Sequence, residues 1–235
     1  MKLGVIIPAY KNKKQLTQCK TALKAQKTSV DIEIFVHDNT ETNIGFTKAV
    51  NKGLIYFNGL VDYCLVLNQD CYLQKDCVDQ IVNFMESHPK CFIGGVKQLH
   101  DKNKDYIIHG GCTEAFPQGK HLVGKVSNND CEKNRKMPWV NGACLAVNMS
   151  LLPVVGVMDE GYFLIASESD WCYTARTRGL EVWYIADAVV THEQGISTKR
   201  DSMKVEYQKM LDMTYFQDKW LGDGLFRELS MEVFR

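Results

Sequence analysis

Three short segments of this 235-residue chain carry groups that could do chemistry. The apolar run 61–67 ends in Asn68-Gln69-Asp70, Ser167-Glu168-Ser169-Asp170-Trp171 gathers two carboxylates, and His192 follows a later apolar stretch. A buried strand that stops at an acid presents it at its C-terminal edge. In open α/β sheets that edge is where ligands bind. A hard divalent cation held there by one or two carboxylates neutralises a departing phosphate. A neutral imidazole suits manganese-like ions, and a second carboxylate can take the proton of a hydroxyl. Together these groups point to chemistry on a phosphate-bearing substrate.

The elements that must position them alternate in type. Apolar runs at 3–7, 32–36, 61–67 and 91–96 read as strands, and helical spacing of apolar residues marks 14–26, 46–60 and 78–86. Strand-helix alternation at this interval predicts an α/β fold with a mostly parallel, doubly wound sheet flanked by helices. Residues 97–137 are polar, with short alternating pieces at 106–109 and 121–126. They read as a small antiparallel extension or a long loop laid over the sheet, and loops of that length are usually functional. Strand character returns at 139–147 and in short runs at 182–185 and 188–190, with a helix at 168–178 stopped by Gly179. Residues 201–220 suit one long terminal helix. With no repeat or linker, 1–235 reads as a single domain. Its parts are a nucleotide-binding half (about 1–96), an acceptor and catalytic half (about 97–200) and a C-terminal helix (201–235).

Composition narrows the class. The 28 basic and 28 acidic residues balance, so the basic excess of a nucleic-acid binder is absent. No apolar stretch approaches the ~20 residues that span a bilayer. Residues 1–8 reach Pro8 too soon for a signal peptide and lack a small-residue cleavage site, so a first strand and a cytoplasmic location are expected. Peripheral membrane contact stays open, and the terminal helix could serve a dimer, a membrane surface or the core. The nine cysteines are odd in number, lack a Cys-x-x-Cys and lie partly in apolar strands, which suits reduced buried thiols. Cys71 reads as a small residue after a turn in preference to a catalytic thiol.

Short motifs in a fixed order carry a resemblance. Val5-Ile6-Ile7-Pro8-Ala9-Tyr10 opens the chain, His37-Asp38-Asn39 ends the second strand, and Asn43-Ile44-Gly45-Phe46 starts the second helix. Asn68-Gln69-Asp70, Trp139-Val140-Asn141-Gly142-Ala143, the acidic segment and His192-Glu193-Gln194-Gly195-Ile196-Ser197 follow. From about residue 3 to about 200 the chain resembles family 2 glycosyltransferases of the GT-A nucleotide-diphospho-sugar transferase fold. Within them it looks closest to the rhamnosyltransferase-like and galactofuranosyltransferase-like branch. It departs where only Thr40-Glu41-Thr42 separates Asn39 from Asn43, where Asn68 replaces the first acid of the metal motif, and where Ser167-Glu168 stands for a commoner acidic pair.

The resemblance implies a metal-dependent, inverting transfer of a sugar from a nucleotide-diphosphate donor to a glycan or glycolipid hydroxyl. The donor is a UDP-sugar first and a dTDP-sugar next. Pro8, Ala9 and Tyr10 would wall the nucleobase pocket and Asp38 would accept a pyrimidine imide N–H beside Asn39. Asn43 and Gly45 would lie along the nucleotide, with Lys48 facing phosphate or ribose. Asn68 and Gln69 would touch ribose or pyrophosphate, and Gly142 would sit near the donor sugar. Asp70 and His192 would hold the metal, Mn2+ in preference to Mg2+. Glu168 would be the base, with Asp170 as second acid holding the acceptor or the helix start. Trp139 and Trp171, together with Tyr162, would stack on sugar rings unless they pack the core. Two other readings remain: a sugar-nucleotide pyrophosphorylase, and a non-catalytic nucleotide-sugar or glycan-binding protein on the same fold. The first lacks its Gly-rich phosphate loop after the first strand; the second is opposed by the acids Asp70 and Glu168.

Overall fold

A computed structural model describes residues 1–113, 122–127, 131–193 and 202–220. Strand β1 (Lys2–Ala9) pairs in parallel with β2 (Asp31–Asp38) on one side and β3 (Tyr63–Leu67) on the other. β1 is buried on both faces, as strands covered by helices on each side must be. Its alternation assigns the faces. Leu3, Val5 and Ile7 pack with Cys19 and Leu23 of helix α1 (Lys13–Lys24) and Ile81 of α3 (Cys77–Ser87). Ile6 points the other way, onto Val50, Leu54 and Phe57 of α2 (Phe46–Phe57). The apolar run at 3–7 and the helical spacing at 14–26, 46–60 and 78–86 are thus realised as β1, α1, α2 and α3.

The sheet departs from simple winding at its centre. β9 (Cys144–Asn148) runs antiparallel to both β3 and β5 (Cys91–His100), and β10 (Glu181–His192) lies parallel to β5. β4 (Cys71–Leu73) closes the edge antiparallel to β10, giving the order β2-β1-β3-β9-β5-β10-β4. Strand β6 (Tyr106–His109) pairs with β5 and with β7 (Gly124–Lys125), while β8 (Arg135–Lys136) pairs with β10. These supply the antiparallel extension. The two short runs at 182–190 are one strand, carried across by a register shift between Ile185 and Val189. The strand expected at 139–147 begins only at Cys144, leaving Trp139-Val140-Asn141-Gly142-Ala143 as a loop at the sheet edge.

Two further helices follow, the short α4 (Leu152–Val155) and α5 (Ser167–Thr177), which ends before Gly179 at φ +74°. The terminal helix α6 (Ser202–Trp220) docks on α5, where Phe216 and Trp220 pack with Tyr162 and Tyr173. All nine cysteines are buried thiols. Among the described residues no helix is long and apolar enough to cross a membrane. His121, 194–197 of the last motif, residue 201 and 221–235 lie outside the described residues.

Candidate active site

Because β1, β2, β3, β5 and β10 share a direction, their C-terminal ends meet at one sheet edge. A cleft of about 680 Å³ opens there. Pairing of β10 with β4 sets His192 opposite Cys71 and so beside Asp70. His192 Nε2 lies 3.4 Å from Asp70 Oδ1, and each side chain keeps 11% of its surface exposed. Potential ligand atoms of Asp70, Cys71 and His192 lie within 4.8 Å of one another. Burial and the neighbouring Asp70 charge push the Cys71 thiol well above its ordinary range, so it stays protonated. The available donors are therefore one carboxylate and one imidazole, a set that fits a hard or borderline divalent cation such as Mn2+. Asp70 and His192 are the residues that would hold it.

Side-chain amides shape the mouth of the cleft. Gln69 grips the Tyr10 peptide from both sides: its Oε1 accepts from Tyr10 N at 3.0 Å and its Nε2 donates to Tyr10 O at 2.7 Å. Asn39 Oδ1 accepts from Ile44 N at 3.1 Å and Asn43 Oδ1 from Gly45 N at 2.9 Å, folding the short 39–45 turn onto the start of α2. Gly45 has φ +88°, and a Cβ there would lie 2.6 Å from the Phe163 carbonyl oxygen. That carbonyl accepts from Phe46 N at 2.7 Å. Only glycine lets the two backbones approach so closely. Lys11 Nζ lies 4.7 Å from the centre of the Tyr10 ring.

Helix α5 carries the two expected acids in different surroundings. Burial pushes the Glu168 carboxyl above its ordinary value, main-chain N–H groups of Glu168 and Gly142 pull it back, and the Asp212 charge raises it again. A Cβ on Gly142 would come within 3.2 Å of Glu168 Cδ. A side chain at 142 would therefore displace the carboxylate. Asp170 is buried and occupied. Its Oδ1 accepts from Trp220 Nε1 at 2.6 Å and from Tyr162 Oη at 3.2 Å, and Lys219 Nζ sits 3.1 Å from Oδ2. Between cleft and helix, Asp212 of α6 accepts from three successive amides, Phe163, Leu164 and Ile165, at 3.0, 2.7 and 2.9 Å.

Placement of the expected residues is uneven. Pro8, Tyr10, Asn39, Asn43, Gly45, Asn68, Gln69, Asp70 and His192 line the cleft, whereas Ala9, Asp38, Lys48, Gly142 and both α5 acids do not. Asp38 is exposed and turns back on the chain, accepting from Thr40 N at 2.9 Å; the Thr40 hydroxyl and amide hold its carboxyl below the usual range. Lys48 lies on the exposed side of α2. Trp139 and Trp171 need correction as sugar platforms. Both are core side chains, and Trp171 donates to the Gly156 carbonyl at 2.8 Å while meeting Phe92 edge-on. Apolar packing took them, as it takes most tryptophans. Sequence reading also missed Phe163 and Leu164, and Lys204, Val205 and Gln208 of α6, all of which line the cleft. The apolar spacing of α6 signalled a helix but not which of its faces would wall a site.

Comparison with known proteins agrees with this architecture. The mycobacterial N-acetylglucosaminyl-diphospho-decaprenol L-rhamnosyltransferase (Mycobacterium tuberculosis) is 22% identical over 183 residues, 69% of this chain and 60% of that protein. A low-salt glycan biosynthesis hexosyltransferase of Haloferax volcanii is 20% identical over 201 residues, 81% of this chain and 60% of its own length. The chain thus matches only 60% of the length of these curated relatives. Among solved structures, the mannosyltransferase of Pyrobaculum calidifontis in complex with GDP-Man and Mn2+ superposes with a TM-score of 0.64 at 12% identity, covering 94% of this chain and 64% of that one. GalNAc-T7 with UDP, GalNAc and Mn2+ gives 0.63 at 12% identity, covering 81% of this chain and 43% of that one. The fold is that of the GT-A glycosyltransferases. Residues 37–152, from the end of β2 through the Gly142 loop to the start of α4, match the profile described as "Glycosyl transferase family 2".

Proposed function

We propose that this chain is a metal-dependent, inverting glycosyltransferase that moves a sugar from a nucleoside-diphosphate donor to a glycan or glycolipid hydroxyl. UDP-sugars are the favoured donors and dTDP-sugars the next. The observation that carries this reading is the carboxylate oxygen and imidazole nitrogen 3.4 Å apart, from two residues that line the 680 Å³ cleft. The nucleotide is assigned to the 1–96 half, the acceptor to 97–200, and α6 to the wall that joins them. When bound, the cation supplies Lewis-acid neutralisation of the departing diphosphate. Asp70 and His192 would hold it, with Lys11 and Lys204 of the cleft wall adding positive charge. Glu168 takes the proton of the acceptor hydroxyl as that oxygen attacks the anomeric carbon from the face opposite the diphosphate. Its raised proton affinity makes it a stronger base than an ordinary glutamate. Asp170, held by Lys219, Trp220 and Tyr162, anchors α6 and leaves the base role to Glu168.

The test is calorimetric titration with UDP, dTDP, GDP and ADP, with and without Mn2+. Manganese-dependent binding of UDP or dTDP supports the donor assignment, and absence of binding to every diphosphate refutes it. Binding with neither donor hydrolysis nor transfer to any acceptor would move the protein to the non-catalytic reading.

A further inference from the structure

Beside the metal edge lies a chain of amides that the proposed chemistry does not use. His192 Nδ1 is 3.0 Å from Gln98 Oε1. Gln98, buried in β5, donates from Nε2 to Asn141 Oδ1 at 3.1 Å. Asn141 Oδ1 also accepts from the Ala143 main-chain N–H at 2.9 Å. A main-chain N–H can only donate, so the group it meets on Asn141 must be the oxygen. The Gln98 group facing that oxygen must then be the NH2, which turns the Gln98 oxygen toward His192. An oxygen accepts only, so Nδ1 of His192 must carry a proton. In the neutral ring the other nitrogen, Nε2, is then a bare lone pair, and it points at Asp70 Oδ1. Two acceptors 3.4 Å apart are stable only with positive charge between them.

We infer that Gln98 is a positioning residue. Through Asn141 and Gln98, the Ala143 N–H fixes His192 as its Nδ1–H tautomer and aims the Nε2 lone pair into the gap shared with Asp70. The metal-binding half of this inference rests on Asp70 and His192 being the ligands; the tautomer half does not. Partners of ligating histidines act in this way generally, and their loss costs about 10- to 100-fold in metal affinity. The relay also ends at the loop whose next residue, Gly142, donates its N–H to Glu168. The metal edge and the proposed base therefore both make hydrogen bonds to the 141–143 loop.

Long-range ¹H–¹⁵N spectra of the imidazole, assigned with His192→Gln, test the tautomer in the metal-free protein. Nδ1 should resonate as protonated whether or not Nε2 also carries a proton; a bare Nδ1 beside a protonated Nε2 would overturn the inference. Two variants test the metal half by Mn2+ titration with no nucleotide present. Gln98→Met keeps the shape and removes the acceptor, so Mn2+ should bind about 10- to 100-fold more weakly. Gln98→Glu, with the oxygen facing Asn141 Oδ1 protonated so that it donates as the amide did, keeps an oxygen toward Nδ1 and should bind Mn2+ more tightly than Gln98→Met, a rescue that loss of packing alone would not produce. Equal affinities in wild type and Gln98→Met refute the positioning role. If wild type itself fails to bind Mn2+, the functional reading falls while the spectra still decide the tautomer.

Discussion

Two buried carboxylates of this molecule, Asp70 and Asp170, stand in opposite situations. Around Asp170 the chain supplies every partner: an indole N–H, a phenol and an ammonium converge on its two oxygens. Burial still pushes its carboxyl up, and the Lys219 and Trp220 hydrogen bonds only partly offset this. Asp70 instead faces an imidazole nitrogen 3.4 Å away, which the proposed amide relay would leave as an acceptor in the neutral ring. A polar group that the fold satisfies belongs to the fold, and one that it leaves facing another acceptor waits for something from outside. Glu168 and Asp170, two residues apart on α5, differ in another way: main-chain N–H groups of Glu168 and Gly142 meet the first, whereas the side chains of Tyr162, Lys219 and Trp220 meet the second. Positions so spaced on a helix point in different directions.

Breaking that contrast at its catalytic end should have the largest effect. Glu168→Gln is expected to lower kcat about 100- to 10,000-fold while donor affinity, read by calorimetry, stays within about twofold. Equal loss with Asp170→Asn in a fully stable protein would reverse the roles assigned to the two acids. Asp70→Ala should remove Mn2+-dependent UDP binding, by about 100-fold or more, and unchanged metal dependence would take Asp70 out of the site. Asp170→Asn should instead show in urea unfolding, with about 1–3 kcal/mol of lost stability from donors left without a charged acceptor.

Titration sharpens the contrast further. The pKa of Glu168 lies above its ordinary value of 4.5, so a base at this position ionises only as pH rises past that value. The acid limb of kcat against pH should therefore sit above 4.5 and vanish in Glu168→Gln. Linkage has the opposite sign for stability. The fold favours the protonated carboxyl, so stability falls as pH rises from the unfolded to the folded pKa. Above that window Glu168→Gln should melt no lower than wild type, whereas Asp170→Asn should melt lower. The smallest effect belongs to Lys204→Met in the cleft wall. Its exposed charge should change donor KM by only a few fold, about 0.2–1 kcal/mol, and less at high salt.

Much of this was legible from local pattern. A continuous apolar run specifies β1 as a strand buried on both faces, and apolar residues at helical spacing specify the helices that cover it, because side-chain periods of 2 and 3.6 are properties of the backbone itself. The 61–67 run predicts that Asp70 leaves the sheet at a strand end, and an odd set of cysteines in apolar strands predicts buried thiols. Other features came from long-range packing. A short strand buried on both faces, such as β9, reads the same in either direction, so its antiparallel course through the middle of the sheet left no trace in its residues. His192 meets Asp70 because β10 pairs with β4, a register no local pattern encodes. Helix α6 is apolar on more than one side, with Met203, Tyr207 and Met210 exposed opposite buried Phe216 and Trp220, so its spacing could not say which face would wall the cleft. Gln98, Asn141 and Asp212 are ordinary polar residues in sequence. Their roles arise from the donors and acceptors that folding brings to them, since a hydrogen bond's direction depends on both partners.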